Sequence, residues 1–273
     1  MKKVIAKDPL EPFTKKEREI VIFSRDYICT IPSALEVFLR CINWFDPLQV
    51  NIARTYIKRW AKLDPEDAIS LLDARYPDTF VREYAVSILS EMTDDLLNLY
   101  MLQMCQSLMY ELYHITPLAD LLIEKSLKSP SIVGCSFYWN AAVCMRNKLF
   151  RERLSIITTQ ILMLSGPKFL STILKSSSID KQLKNIALDA KNKYNSKLTK
   201  DKKEDTKKLV RDRLDALNMS DFQFPLHASY FASNISIPNC SIFSSKMVPM
   251  KVAAISTDNS VFNVIYKCGK QSI

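Results

Sequence analysis

The feature that most restricts the fold of this chain is its shortage of glycine. Only 3 of the 273 residues are glycine, against the roughly 7% of average proteins. With Gly134, Gly166 and Gly269 alone, neither G-x-G-x-x-G nor G-x-x-x-x-G-K-[ST] occurs, which excludes a dinucleotide-binding fold and a P-loop. Because glycine disfavours helices whereas leucine, lysine, glutamate and methionine favour them, we expect a mainly α protein.

Several helix starts can be located from capping residues. Asp64 precedes Pro65, and Thr116 precedes Pro117; a polar N-cap followed by proline is a typical opening of a helix. Another helix is predicted after Asp78, where apolar residues recur at steps of three and four and therefore share one face. Those residues are Val81, Tyr84, Ala85, Ile88, Leu89 and Met92.

The same pattern continues as far as residue 164. It predicts helices of about 12 to 16 residues with short connections, including one long helix after Thr93, and this arrangement is typical of stacked antiparallel helix pairs. No sequence repeat is visible, so helix period and loop length alone support an α-solenoid.

Most of the net charge of +9 lies in one segment. Between Lys175 and Arg213 there are 13 Lys and Arg against 6 Asp and Glu, a difference of +7. The segment has few aromatic side chains on which bases could stack. We interpret it as a solvated helix and linker, in preference to a surface for anionic lipid or nucleic acid, and expect no nucleic-acid partner.

The character of the sequence changes after this segment. Proline, serine and β-branched residues become frequent, and Met250–Ser256, a turn over 257–260 and Val261–Lys267 predict a β-hairpin. We therefore expect a helical domain over 8–200, a basic linker or helix over 201–220 and a small β region over 221–273.

Cysteine and histidine supply no recognisable site. The seven cysteines are scattered and form no C-x-x-C, which is typical of a reduced cytoplasmic protein. His114 and His227 are too few and too far apart for a metal site. There is no signal-peptide pattern, no apolar run of about 18 residues and no nucleophile elbow. The residues alone predict a helical array followed by a β-hairpin.

Several strings, taken in order, resemble the phosphatidylinositol 3-kinase family and cover nearly the whole chain. The strings that resemble its helical accessory domain are 8–10, 31–32, 43–44, 60–68, 71–78, 81–82, 100–103, 108–111 and 137–139. The strings that resemble the start of the lipid-kinase N-lobe are 224–226, 240–243, 244–250 and 264–269. The resemblance implies an α-solenoid accessory domain followed by a truncated kinase N-lobe, and the kinase class is not assigned, with a leaning towards class I.

The resemblance also implies a site for ATP phosphates. Ser245 would lie in the serine-containing loop over the phosphates with Lys246 nearby, and Lys267 would be the strand lysine that pairs with phosphate. Phosphoryl transfer needs fixed positive charge of this kind. The intact family member would use ATP and Mg²⁺ to phosphorylate the inositol 3-hydroxyl of a membrane phosphoinositide, whereas no catalytic or metal-binding residue is assigned here.

This sequence departs from the family pattern at several points. It ends at Ile273, before the family's catalytic loop and metal-binding loop, so we expect these residues alone to have no phosphotransfer activity and no demonstrable cofactor. Met247 stands where many members have a basic residue. Lys251 stands where class I members usually have a tryptophan beside the adenine.

The resemblance implies partners and a location for the intact protein. These are a regulatory subunit or a small GTPase, a phosphoinositide membrane surface, and a cytoplasmic location peripheral to membranes. In class I members an acidic loop meets a phosphotyrosine-binding domain of the regulatory subunit; here Pro12 and Lys15 replace two of its acids, which should weaken or reverse attraction to a basic partner. The alternative function is a non-catalytic helical scaffold for protein interactions.

Overall fold

The computed structural model describes residues 2–193, 200–217, 219–226, 230–245 and 247–267. These residues form 14 α-helices and five β-strands, which confirms the mainly α fold with a small β region. By their internal contacts they form two compact units. The helical unit comprises residues up to 129 together with 140–161, and the mixed unit comprises 130–139 together with the described residues from 162 onward.

Ten helices lie wholly within the helical unit. They are α1 (Lys2–Ile5), α2 (Lys15–Phe23), α3 (Arg25–Ile28), α4 (Ala34–Cys41), α5 (Pro47–Ile57), α6 (Pro65–Ser70), α7 (Thr79–Leu89), α8 (Asp94–Leu99), α9 (Met101–Ser107) and α10 (Pro117–Lys128). Helices α11 (Cys135–Cys144) and α12 (Lys148–Leu164) contribute their residues 140–144 and 148–161.

Side-chain caps open several of these helices. The Thr116 hydroxyl accepts the Ala119 N–H at the start of α10, and the Asp78 carboxylate accepts two N–H groups at the start of α7. Thr14 and Glu17 form a reciprocal capping box at α2, which satisfies donors that have no partner within the helix. Asp64 occupies the N-cap of α6 without a side-chain hydrogen bond.

Helix lengths differ from the prediction of about 12 to 16 residues. Helix α6 ends at Ser70. The single helix expected after Thr93 is two helices, α8 and α9, which meet at Tyr100 with φ −101° and ψ 8°. Periodicity could not reveal this break because the apolar residues on both sides of it remain buried, among them Leu97, Met101 and Met104.

Helix α7 lies at the centre of the helical unit, in contact with α5, α6 and α10. Its predicted apolar face is buried, and Leu89 has no exposed surface. Buried within the same unit, the Arg82 guanidinium binds the Glu111 carboxylate at 2.6 Å and donates to the Leu72 carbonyl at 3.0 Å. This charged network ties α7 to the segment that precedes α10.

The mixed unit contains two helices and an antiparallel sheet. Its elements are α13 (Gly166–Lys193), α14 (Lys200–Ala216), β1 (Ser220–Gln223), β2 (Phe231–Ile235), β3 (Ser241–Ile242), β4 (Met250–Ile255) and β5 (Val261–Tyr266). Strand β4 is central: it pairs with β5 along its whole length on one side, and with β2 and β3 at its two ends on the other. The predicted hairpin is therefore β4–β5, within a larger sheet.

The basic segment was expected to be a solvated helix and linker; its described residues are helical, as expected, but one side of each helix is buried. It forms α13 and α14, whose apolar faces belong to the same buried cluster as the inner face of the sheet. Ile179, Leu183 and Leu214 are among the buried members. The lysines and arginines lie mainly on the exposed faces of α13 and α14. The composition of the segment therefore reflected its exposed residues and did not reveal the buried apolar faces.

The domain limits 8–200, 201–220 and 221–273 remain a prediction. The compact units divide elsewhere, because α13 and α14 pack with the strands rather than apart from them. Helix α14 spans Lys200–Ala216, which covers most of the segment 201–220. Within the described part of the chain, no helix has both the length and the apolar content needed to cross a membrane.

Candidate functional site

Strand register brings two of the predicted site residues to one end of the sheet. Tyr266 of β5 is paired with Met250 of β4, which is paired in turn with Ile242 of β3. Lys267 directly follows this row, and the loop that holds Ser245 begins directly after it. Lys267 therefore lies two strand spacings, roughly 10 Å, from the start of the loop.

The loop between β3 and β4 is a compact turn. Its base is closed by the Phe243 N–H, which donates to the Pro249 carbonyl at 2.9 Å, and the Val248 N–H donates to the Ser245 carbonyl at 3.0 Å. Val248 has φ 43°, a conformation that β-branched residues rarely adopt. Ser245 is exposed, whereas Lys246 lies outside the described residues.

Lys267 lies one residue beyond β5 rather than within it, and its side chain is exposed. The alternation of β5 puts it on the outer face of the sheet with Ile265, which is 57% exposed. Among the described residues Lys267 forms no ion pair. Its ammonium is thus free to contact an anion beside an apolar surface.

A second lysine lies on the same outer face. Lys251 of β4 is paired with Ile265, so Lys251 and Lys267 are diagonal neighbours, roughly 7–8 Å apart. Lys251 is partly buried. Lys251 thus puts a second positive charge next to Lys267.

A hydrogen bond on the inner face of the sheet holds the end of β5 against α13. Tyr266 donates from its hydroxyl to Asp180 of α13 at 3.1 Å, and Asp180 also binds Lys184 on the same helix. Burial, together with the Asp180 charge, holds the pKa of Tyr266 well above its usual range, so the hydroxyl remains a donor. Tyr266 thereby anchors the strand immediately before Lys267.

Cys240 fills a gap in the strand pairing. On this side of β4, residues 250 and 251 pair with β3 and residues 254 and 255 pair with β2. Between them, the Ala253 N–H donates to the Cys240 sulfur at 3.3 Å. Burial raises the pKa of this thiol, which favours its protonated form. Cys240 therefore has a structural role in the sheet.

Among the described residues, the remaining thiols and His114 form no second centre. Burial raises the pKa of Cys41 to about 11 and of Cys135 to about 12, and it also raises the pKa of Cys105. Across the described ranges, no three His, Cys, Asp or Glu residues come together as metal ligands. Cys268 and His227 lie outside those ranges.

Sequence reasoning missed the residues that position this site. Asp180 and Tyr266 are 86 residues apart, and no spacing pattern connects them. Ile265 could have been found, because strand alternation puts residues 265 and 267 on one face. Family resemblance thus pointed to Ser245, Lys246 and Lys267, whereas the contact that anchors the end of β5 is visible only in the fold.

Comparison with known proteins agrees with this architecture. Residues 1–173 match the family described as "Phosphoinositide 3-kinase family, accessory domain (PIK domain)". Over 98% of its length the chain is similar to phosphatidylinositol 3-kinase 2 of Dictyostelium discoideum, at 28% identity, and to phosphatidylinositol 3-kinase pik3 of Schizosaccharomyces pombe, at 27%. It is also 27% identical to the phosphatidylinositol 4-phosphate 3-kinase C2 domain-containing subunit alpha of Pongo abelii, over 98% of its length.

These relatives are much longer than this chain. It spans 14% of the Dictyostelium protein, 35% of the fission yeast protein and 16% of the Pongo protein. The family match covers well over half of the chain, and the similarity to the relatives continues through the sheet. The chain belongs to the phosphoinositide 3-kinase family, of which it contains the accessory domain.

Proposed function

We propose that this chain supplies the helical scaffold and the first part of the ATP site of a phosphatidylinositol 3-kinase. In the intact protein, the reaction is transfer of the γ-phosphoryl group of Mg-ATP to the inositol 3-hydroxyl of a membrane phosphoinositide. The observation that carries the proposal is the register that puts Lys267 and the Ser245 loop at one end of the sheet.

Lys267 has the properties of a phosphate contact. It is exposed, it has no ion pair among the described residues, and it follows a strand that Tyr266 anchors to α13. A positioned ammonium beside developing negative charge stabilises the transition state without having to reorganise. In this proposal Lys267 binds ATP phosphate oxygens and stabilises the charge on the transferring group.

The Ser245 loop and the outer face of β5 complete the part of the ATP site in this chain. Ser245 lies on a loop whose base is closed by backbone hydrogen bonds, and its hydroxyl can donate to a phosphate oxygen. Lys246 is included on its sequence position alone. Ile265 gives the nucleotide an apolar surface, and Mg²⁺ would be held by residues that this chain does not contain.

The test is a chimera with the fission yeast relative. The portion of that relative that follows its matched segment is joined after Gly269, and phosphate transfer to phosphatidylinositol is measured with Mg-ATP. Lys267→Met should lower the rate by 10²–10³-fold, the usual loss when one fixed transition-state contact is removed. Lys246→Met should do less, because a loop lysine acts through a more solvated contact.

Lys175→Met is the matched control, since Lys175 is an exposed lysine of α13 that the proposal does not include in the ATP site. It should retain the rate of the unmodified chimera. Circular dichroism of each variant separates loss of chemistry from loss of fold. A folded, active chimera in which Lys267→Met keeps nearly full rate would remove Lys267 from the site. A folded chimera without any transfer would instead favour the non-catalytic scaffold.

A further inference from the structure

A cavity of about 280 Å³ in the helical unit is lined by arginine and aromatic side chains. The arginines are Arg18 of α2, Arg40 of α4 and Arg75, which precedes α7. None of the described residues that line the cavity is acidic. Three elements far apart in sequence therefore bring three positive charges to one small space.

The three guanidinium groups have unused hydrogen-bond donors. Arg40 donates to the Glu11 carbonyl at 2.9 Å and lies over the Phe13 ring at 4.7 Å. Arg18 forms no side-chain hydrogen bond or ion pair within the part of the chain that the structure describes. Because each guanidinium carries five N–H donors, most of the donors of these two residues remain available.

Of the three arginines, Arg75 is the one whose positive charge is balanced by nearby carboxylates. Its guanidinium lies 3.6 Å from a Glu36 carboxylate oxygen and 3.3 Å from an Asp73 carboxylate oxygen. Both contacts are partly exposed to solvent, which weakens their attraction. Arg18 and Arg40 have no comparable carboxylate partner, so the cavity keeps an excess of positive charge.

Aromatic rings form the rest of the wall. Trp44 contacts Tyr76 edge to face, with ring centroids 6.4 Å apart. Tyr76 is fully buried, and its hydroxyl has no hydrogen-bond partner, although a buried hydroxyl normally has one. The cavity thus combines a cationic side with an apolar side.

We propose that this cavity binds a small phosphate monoester, with its phosphate on the arginines and an apolar, ring-sized ester group against Trp44. Arginine suits phosphate because its planar fork can donate two parallel hydrogen bonds to the oxygens. The volume is near the lower limit of ligand pockets, about 300 Å³, which restricts the site to small ligands. The inference concerns the helical unit alone and is independent of the proposed kinase function.

The experiment titrates the 273-residue chain with phenyl phosphate. Tryptophan fluorescence follows occupancy, because Trp44 lines the cavity, and calorimetry gives the stoichiometry. Inorganic phosphate and phenol, titrated separately, test the two halves of the ligand. We expect saturable 1:1 binding of phenyl phosphate, about tenfold or more tighter than binding of either part, since both the charged and apolar contacts contribute.

Arg18→Ala is the main variant, because Arg18 is exposed and its side chain forms no hydrogen bond or ion pair with the described residues. It should weaken phenyl phosphate binding about tenfold, the effect of losing one charge-assisted contact. Arg146→Ala removes the same charge from an exposed residue outside the cavity and should leave binding unchanged. Circular dichroism checks that both variants remain folded.

Three results would overturn the proposal. One is the absence of saturable phenyl phosphate binding to the folded chain. Another is an Arg18→Ala chain that binds as tightly as the unmodified chain. The third is inorganic phosphate or phenol binding as tightly as phenyl phosphate, because the ligand would then not use both sides of the cavity.

Discussion

The helix starts of the helical unit depend on neighbouring residues, whereas contacts between helix and strand in the mixed unit join residues far apart in the sequence. In the helical unit, caps such as Thr14 with Glu17 and Asp78 with Phe80 join residues two or three positions apart. In the mixed unit, Asp180 binds Tyr266 and the Ser176 hydroxyl accepts the Gln223 N–H, across 86 and 47 residues. The comparison teaches that local signals can predict helix starts, whereas the packing of helices on strands depends on pairings that appear only in the folded chain.

The buried ion pair of the helical unit should give the largest effect. Glu111→Ala leaves the Arg82 guanidinium buried without a carboxylate partner. This substitution should lower the free energy of unfolding by about 3–5 kcal/mol. Urea denaturation measures the change. The control is Glu91→Ala, which breaks an exposed pair with Lys62 and should cost about 0–1 kcal/mol. Equal effects of the two substitutions would contradict the role given to burial.

The apolar face of α7 comes next. Leu89 is fully buried, so Leu89→Ala should destabilise the chain by about 2–5 kcal/mol through lost burial and the cavity left behind. Leu99→Ala, at a position that is 68% exposed, should change stability little. Thermal and urea unfolding followed by circular dichroism compare the two. A Leu89→Ala chain as stable as Leu99→Ala would show that the predicted face is not core.

A smaller effect is expected in the mixed unit. Tyr266→Phe removes the hydrogen bond to Asp180 and should cost about 1.5–3 kcal/mol, the usual value for a bond to a charged group. Hydrogen exchange should show the loss of protection in β5 and α13. The control is Tyr230→Phe, at an exposed tyrosine. Protection lost instead throughout α7 would contradict the separation of the two units.

The alkaline pH dependence of stability tests the same contact. Because the folded state raises the pKa of Tyr266 above its ordinary value of 10, its contribution to stability is present below pH 10. It is lost as the pH rises further, when the hydroxyl ionises in the unfolded chain. Unfolding midpoints should therefore fall more steeply above pH 10 for the unmodified chain than for Tyr266→Phe.

The acid pH dependence should show the smallest effect, at the capping box of α2. The Thr14 backbone N–H and hydroxyl, together with Lys7, lower the pKa of Glu17 to about 2. The contribution of Glu17 is therefore present above its ordinary pKa of 4.5 and is lost as the pH falls towards 2. Glu17→Gln should be the less stable chain at neutral pH, with the difference vanishing near pH 2. A difference that persists at pH 2 would exclude ionisation as its cause.

Prediction from sequence succeeded where the signal is local. The Thr116 cap, the buried face of α7 and the β4–β5 hairpin were all predicted, because each depends on residues within one turn of helix or one hairpin. The burial of α13 and α14 was missed, since their charged faces dominate the composition and the strands that cover the other faces lie further along the chain.

The candidate sites divide in the same way. Ser245, Lys246 and Lys267 were named from strings that resemble a family, and their role in a site stays a prediction. The register that brings the loop and Lys267 to one end of the sheet required the fold. The cavity of Arg18, Arg40 and Arg75 was invisible in the sequence, because the three residues have no common spacing and meet only through helix packing.

The central claim is that Lys267 contacts the phosphates of ATP. Its most direct test is labelling of the fission yeast chimera with an acyl-phosphate derivative of ATP, which transfers its acyl group to a lysine beside the bound phosphates. Peptides are then mapped by mass spectrometry. The account predicts that Lys267 is labelled and that excess ATP protects it, whereas exposed Lys175 is labelled weakly and without protection. Labelling of Lys267 that excess ATP leaves unchanged would contradict the claim.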